Sequence, residues 1–333
     1  MSTMPSTGRE GPGILKVPRM TLVLSVIVLI SLIVFVYLHV GDARRFIDVL
    51  ERTEPQWLIL VVVLQVNTYV CIGLIWNRIL RSAGHRIHLR ELTRLSVEKL
   101  SIDQLIPAVG ISGNIAVYQA MKRLGVPQVL AMEAILINLL GRYIAFAIAA
   151  IVAVGLLWAW HDITPVLMGL VVLFAVVLII VPMVILWMLA HQSRPLPRWM
   201  KKLKPLVATK ELVDAVSPQR VYSWPLLSFA TVFNLIVFLL DSGTLWAVLH
   251  SVGLQSGYLL AYVALVMASV AATLSLLPGG IGGFEAGCVA MLTMMGVPVE
   301  TALTGTILLR GITLWLPLIP GLLFARKDVL IKL

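Results

Sequence analysis

At 333 residues, 59% of them hydrophobic and only 13% charged, the chain is far too apolar for a soluble domain, and its mean hydropathy of +0.98 places it in a membrane. The net charge of +10 does not point to nucleic acid, because no basic-aromatic module accompanies it; positive cytoplasmic loops and anionic lipid headgroups account for it. Two cysteines, Cys71 and Cys288, both in apolar segments, give neither a disulfide framework nor a metal spacing.

Residues 1–19, rich in Gly, Pro, Ser and Thr, read as a disordered cytoplasmic tail. A cleaved signal peptide is disfavoured, since the next apolar run is too long for one and lacks a small-residue cleavage site. Residues 20–40 are a first span, long enough to cross roughly 30 Å of hydrocarbon. Residues 41–56 mix both signs of charge. A second span covers 57–80, with Asn67 and Cys71 one turn apart. Arg78, Arg81, Arg86, Arg90 and Arg94 then place the next loop in the cytoplasm.

Within residues 92–124, Leu92–Ile106 is only moderately apolar and contains Glu98, Lys99 and Asp103, which read best as a solvated face at a cytoplasmic mouth. Pro107, Gly110, Ser112, Gly113 and Asn114 break the helix there, and a short arm ends in Lys122 and Arg123. Neither arm spans the hydrocarbon comfortably, so the expectation is a re-entrant hairpin. Residues 128–160 form a third span holding Glu133, Asn138 and Arg142, closed by the interfacial Trp158 and Trp160; 163–190 form a fourth.

The basic loop 191–222 carries seven Lys and Arg, either as an amphipathic helix on anionic headgroups or as plain solvated charge. The fifth span, 223–250, puts Asn234 and Asp241 on one face. The stretch Leu276-Leu277-Pro278-Gly279-Gly280-Ile281-Gly282-Gly283-Phe284-Glu285 follows an apolar run at 258–277. Four glycines and a proline in ten residues cannot hold a regular helix, and broken backbone at membrane depth is tolerated only where protein buries it or it lines a wet cavity. A second hairpin therefore closes with 284–296, and a last span at 298–324 carries Arg310 before a basic tail at 326–333.

In this assignment 20 of the 26 Lys and Arg are cytoplasmic, which sets both termini inside. The expected fold is all-α: a polytopic helical membrane protein, one membrane domain over 20–325, with six full spans and two broken helical hairpins. Counting each hairpin as short spans gives eight or more, and this alternative stays open.

The two broken regions repeat. Pro107 to Gly125-Val126-Pro127 recurs as Pro278 to Gly296-Val297-Pro298 at an offset of 171 residues, with Leu105 on Leu276, Ala131 on Ala302, and Asn114 opposite Glu285. Arg142 and Arg310 sit in the helices that follow and miss that register by 3 residues. Three full spans lie between the breaks, so repeat 1 (about 57–160) and repeat 2 (about 223–324) have opposed topology, as in secondary transporters whose broken helices meet near the midplane. Chance similarity of two Gly- and Pro-rich stretches is the bland alternative.

The run Leu277 to Glu285, Gly296-Val297-Pro298, and Leu309-Arg310-Gly311-Ile312-Thr313-Leu314-Trp315-Leu316-Pro317 resembles the flippase-like membrane domain of lysylphosphatidylglycerol synthases, over about residues 20–325. The resemblance implies a bacterial inner-membrane protein that handles a lipid, some stand-alone relatives being linked to hopanoid transport. The first motif departs from the family: Ser112-Gly113-Asn114 stands where many members carry a Gly-Glu and a nearby Arg. The soluble aminoacyl-transferase domain is absent from this sequence, so synthesis of lysyl-lipid is not expected.

A charge at the bilayer centre costs at least about 2.5–3.5 kcal/mol, so each one needs a partner or a role. Glu285, at a half-helix start where the dipole favours an anion, is expected to pair with Arg310 and to grip or gate a headgroup. The bland reading of that pair is a structural clamp. Arg142 with Asn138 suits a lipid phosphate, or else caps carbonyls at a break. Asp241 with Asn234 is expected to partner Arg142 or Arg310, or to carry a proton. Gly279, Gly280, Gly282 and Gly283 either offer amides to an anion or permit close helix packing.

Gly110-Ile111-Ser112-Gly113 matches the Gly-x-Ser-Gly of rhomboid intramembrane proteases. Such a serine needs a histidine base at depth, and only His250 comes near qualifying. There is no Walker A sequence, no His-Glu-x-x-His and no metal cluster, so neither enzyme nor cofactor is expected. The reading is a lipid transporter that binds an amphipathic lipid. A scaffold for a lipid-modifying enzyme is the runner-up, and partners are lipids, a partner enzyme or a second copy.

Overall fold

The computed structural model describes residues 55–105, 111–160, 165–191, 216–275, 280, 282–315 and 317. The expected tails, the span at 20–40, most of the basic loop, and Pro107, Gly110, Pro278 and Gly279 lie outside them. Among the described residues every regular element is helical: α1 Pro55–Ser82, α2 Leu89–Leu105, α3 Ile111–Arg123, α4 Gln128–Trp160, α5 Pro165–Ala190, α6 Trp224–Ser251, α7 Tyr258–Ser275, α8 Gly283–Met294 and α9 Val299–Arg310, with a single turn at Pro218–Val221.

Four of these, over Gln56–Ser82, Gln128–Trp160, Trp224–Ser251 and Tyr258–Ser275, are long and apolar enough to cross a bilayer. Their outer faces stay exposed and apolar, as Ile144, Ile148, Ile151 and Val152 of α4 illustrate. The fourth of these helices, α7, differs from expectation. Read as one arm of a hairpin, it is an 18-residue helix that qualifies as a span by itself. By contrast α3 and α8 have 13 and 12 residues, about 18–20 Å of helix, well short of the hydrocarbon thickness.

The final helix also departs from a simple rod. After Arg310, α9 passes into a π-helical turn, Gly311–Trp315. Such wide turns interrupt the regular hydrogen-bond ladder and recur at functional sites.

The repeat is written into the backbone. Between α3 and α4, the amide of Gly125 donates to Lys122 O, Val126 to Met121 O and Ala131 to Pro127 O. Between α8 and α9, Gly296 donates to Thr293 O, Val297 to Leu292 O and Ala302 to Pro298 O. Each bond recurs 171 residues on. Gly125 and Gly296 hold φ of +81° and +87°, a left-handed conformation that only glycine adopts without strain. The ends of α1 and α6 repeat in the same form at an offset of 169 residues, Gly84 to Arg81 O and His85 to Leu80 O answering Gly253 to His250 O and Leu254 to Leu249 O.

These equivalent helices, α1 and α6, pack on each other and run antiparallel. Trp57 lies edge-on to Trp246 and against His250, while Gln65, further along α1, reaches Asp241 and Thr244, earlier in α6. Opposed direction of equivalent elements is what an inverted repeat requires. The bundle has two buried cores, and both draw on α4 and α6. One joins Ile75, Trp76 and Ile79 to Leu92, Met121 and Ile137; the other joins Leu245 and Leu249 to Val263, Cys288, Leu292 and Leu309. A buried ion pair anchors the first half to the turn before α6: Arg220 Nε donates to Glu133 Oε2 at 2.7 Å, and Glu133 is 3% exposed.

The α4–α6 crossing depends on Gly141. A Cβ there would stand 2.8 Å from Ala230 Cβ and 3.0 Å from the Ala230 backbone, which cannot rotate away. Small residues at such a crossing let membrane helices approach closely. Gly141→Leu is therefore expected to cost roughly 2–3 kcal/mol, read as a fall of several degrees in the thermal midpoint of the purified protein in detergent. Gly155→Ala in the same helix, with nothing within 4 Å, leaves the midpoint unchanged or raises it.

Candidate functional site

Residues of both repeats line a cavity of about 470 Å³. Its apolar wall includes Ile72, Phe146, Phe238 and Leu265, with Phe146 stacked on Phe238 at 5.0 Å. Among this apolar surface stand Lys99, Asp103, Arg142, Asp241 and Arg310. A cluster of this charge density inside an apolar bundle is costly unless each group is paired, hydrogen-bonded or used.

Three of these five charged groups are closed by partners. Arg310 Nε donates to Glu285 Oε1 at 2.5 Å, and its guanidinium lies 4.5 Å over the Phe284 ring. Glu285 Oε2 accepts the Gly282 amide at 2.6 Å, so this carboxylate, three residues into α8, caps the broken end as well as neutralising the arginine. Lys99 Nζ donates to Asp103 Oδ2 at 2.6 Å, and Asp103 Oδ1 takes the Gly113 amide at 2.8 Å. The broken end of α3 is thus tied to α2 in the same manner, by a carboxylate that also holds a cation.

Two groups remain open. Arg142 forms no hydrogen bond or ion pair among the described residues, although it lines the cavity and is exposed within it. Among the described residues Asp241 accepts one hydrogen bond, from Gln65 Nε2 at 3.1 Å, and makes no ion pair. The expected pairing of Asp241 with Arg142 or Arg310 does not form. Gln65, on the antiparallel α1, takes that place, while Arg310 is committed to Glu285. Arg142 and Asp241 still lie within electrostatic range of each other across the cavity.

Asn138 and Asn234 are brought together, Asn234 Nδ2 donating to Asn138 Oδ1 at 3.2 Å and to Ala230 O at 2.8 Å. Asn114 also lines the cavity. The glycines at the second break serve close approach. A Cβ on Gly280 would stand 2.6 Å from Ala272 Cβ, and one on Gly283 would stand 2.6 Å from Ser275 Cβ, so α8 lies tight against α7. The Gly282 amide, which an anion would need, is already taken by Glu285. His250 does not line the cavity; its Nδ1–H donates to Trp246 O at 2.9 Å.

Sequence reasoning missed Gln65 and Tyr69. A glutamine four residues before a tyrosine in an otherwise apolar span was the signal: with Thr68 and Ile72 they form one helical face, and all four line the cavity. It also misplaced Lys99 and Asp103, read as a solvated mouth. Both are on the cavity wall, whereas Glu98 turns to Arg94 at 2.9 Å.

If the Arg310–Glu285 bridge clamps α8 to α9, removing either partner destabilises the protein. Glu285→Ala strands the more buried member, Arg310, whose side chain is 13% exposed against 29% for Glu285. It is expected to cost on the order of 2 kcal/mol, more than Arg310→Ala, and the double variant is expected to cost less than the two singles together. Thermal unfolding of the three variants in one detergent measures the coupling.

A protein-family model described as "Lysylphosphatidylglycerol synthase TM region" matches residues 22–321. No curated protein sequence matches the chain significantly. The chain belongs to that family, which makes it a membrane protein connected to lipid metabolism.

Proposed function

We propose that this member of the lysylphosphatidylglycerol synthase TM region family binds the polar headgroup of an amphipathic lipid between its two repeats and carries it across the bilayer of a bacterial inner membrane, the acyl chains staying in the surrounding lipid. One observation carries this reading: a cavity between antiparallel repeats in which Arg142 stands exposed without a partner among the described residues. A structural cation at that depth would be bonded, as Arg310 is. An arginine left open in a lined cavity is held for an anionic group that arrives with a ligand, and its planar fork matches a phosphate.

The short helices α3 and α8 enter the membrane in this reading without crossing it. Their capped, broken ends, tied down by Asp103 and Glu285, stay rigid against the cavity while the longer helices move about them. Anionic headgroups also gather at the basic cytoplasmic loops. Neither chemical catalysis nor a cofactor is assigned to the site.

A scaffold that assists a lipid-modifying enzyme is the competing reading, favoured by the many closed bonds that would hold one rigid shape. The two part on Arg142→Ala. As Arg142 bonds to no described residue, the variant should keep its thermal midpoint and abundance, while leaflet-resolved lipid movement in proteoliposomes falls at least about tenfold. Undiminished movement in the variant, or none in the wild type, removes the transport reading.

A further inference from the structure

We infer that the cavity selects a zwitterionic headgroup, with the phosphate at Arg142 and a primary ammonium at Asp241; the inference rests on the lipid-binding reading above and names its substrate class. The closed pairs Lys99–Asp103 and Arg310–Glu285 each cancel their own charge. What is left among the described residues is one cation, Arg142, and one anion, Asp241, on the wall of a single cavity and not bridged to each other. A purely anionic headgroup satisfies Arg142 and leaves Asp241 uncompensated. A purely cationic one does the reverse. A ligand carrying both charges satisfies both groups and keeps the cavity neutral.

The surroundings of Asp241 specify the kind of cation. Gln65 Nε2 spends both of its donors, on Asp241 Oδ1 at 3.1 Å and on Thr244 Oγ1 at 3.0 Å. The Thr244 hydroxyl itself donates to Leu240 O, so the amide can face only one way, and Gln65 Oε1 is left with no bond among the described residues. Asp241 Oδ2 is open likewise. Tyr69, one turn on from Gln65, is 8% exposed, lines the cavity within electrostatic range of Asp241, and has a buried hydroxyl with no partner among the described residues. A carboxylate oxygen, an amide oxygen and a hydroxyl oxygen are three acceptors, which match the three N–H donors of a primary ammonium. A quaternary ammonium has no donors to offer them.

The test uses the full chain in nanodiscs of equimolar phosphatidylethanolamine, phosphatidylglycerol and phosphatidylcholine, with retained lipids counted by native mass spectrometry. Wild type is expected to retain phosphatidylethanolamine roughly tenfold over the other two. Asp241→Asn should bring that preference to within about twofold, with phospholipid still bound. Tyr69→Phe, which removes a hydroxyl that bonds to no described residue and leaves the ring packing intact, should reduce the preference about threefold with no change in thermal midpoint. Arg142→Ala should lose all three phospholipids.

Equal retention of the three lipids by wild type, or an unchanged preference in both Asp241→Asn and Tyr69→Phe, overturns the zwitterion assignment while the lipid-binding reading stands. Retention of no phospholipid overturns both. O-phosphoethanolamine binding as tightly as the lipid supports the recognition chemistry but assigns it to a soluble phosphate amine, against the lipid carrier.

Discussion

The structure depends on one constraint, that an ionised side chain cannot stand alone in hydrocarbon. Every charge that reaches the cavity has to be neutralised by a neighbour or reserved for something that enters. The protein meets this constraint in two ways within one site. Glu285 and Asp103 each bind a cation with one oxygen and the amide at a broken helix end with the other. A single carboxylate thereby solves two problems of membrane depth, an arginine or lysine without water and a helix start with unsatisfied donors.

The same economy gives the two breaks a shared logic without a shared sequence. Asn114 lies opposite Glu285 in the repeat and has no negative charge to offer. The first half recruits its carboxylate from the preceding helix instead, since Asp103 of α2 reaches forward to the Gly113 amide. The second half places the acid inside the short helix and lets it reach back to Gly282. The lack of an acid at Asn114 is therefore compensated locally as far as the helix end is concerned. The two halves are not chemically equal. The carboxylate of one serves a lysine on its own helix, and that of the other serves an arginine on the next.

Much of this was legible in the sequence, and the reasons differ by residue. Hydropathy shows the crossing helices, because twenty consecutive apolar residues have few other uses. The glycine-proline turns at Gly125 and Gly296 are legible because a left-handed backbone and a proline at the following helix start leave residue signatures, and their hydrogen bonds coincide at the offset of 171. The Glu285–Arg310 pair follows from two charges that have no other escape. Gln65 and Tyr69 were hidden because one amide and one hydroxyl barely disturb the hydropathy of a span. Lys99 and Asp103 were misread because a polar helix folded into a protein cavity has the composition of one facing water. The partner of Asp241 was out of reach for another reason: it depends on the antiparallel register of α1 and α6, which local sequence does not encode.

That register is also what lets the site exist. Pairing equivalent helices head to tail brings Gln65 of one beside Asp241 and Thr244 of the other, so the acid is held by an amide and not by a charge. An arginine in Gln65's position would have closed Asp241 as firmly as Glu285 closes Arg310. A neutral donor fixes the carboxylate's position and leaves its charge in place. Arg142, set on α4 across the cavity, is left in the complementary condition. The π-helical turn after Arg310 lies beside these groups, with Thr313 on the cavity wall. The rigid pairs and the open pair thus share one chamber, and in the proposed reading it is the open pair that keeps its charge for a ligand.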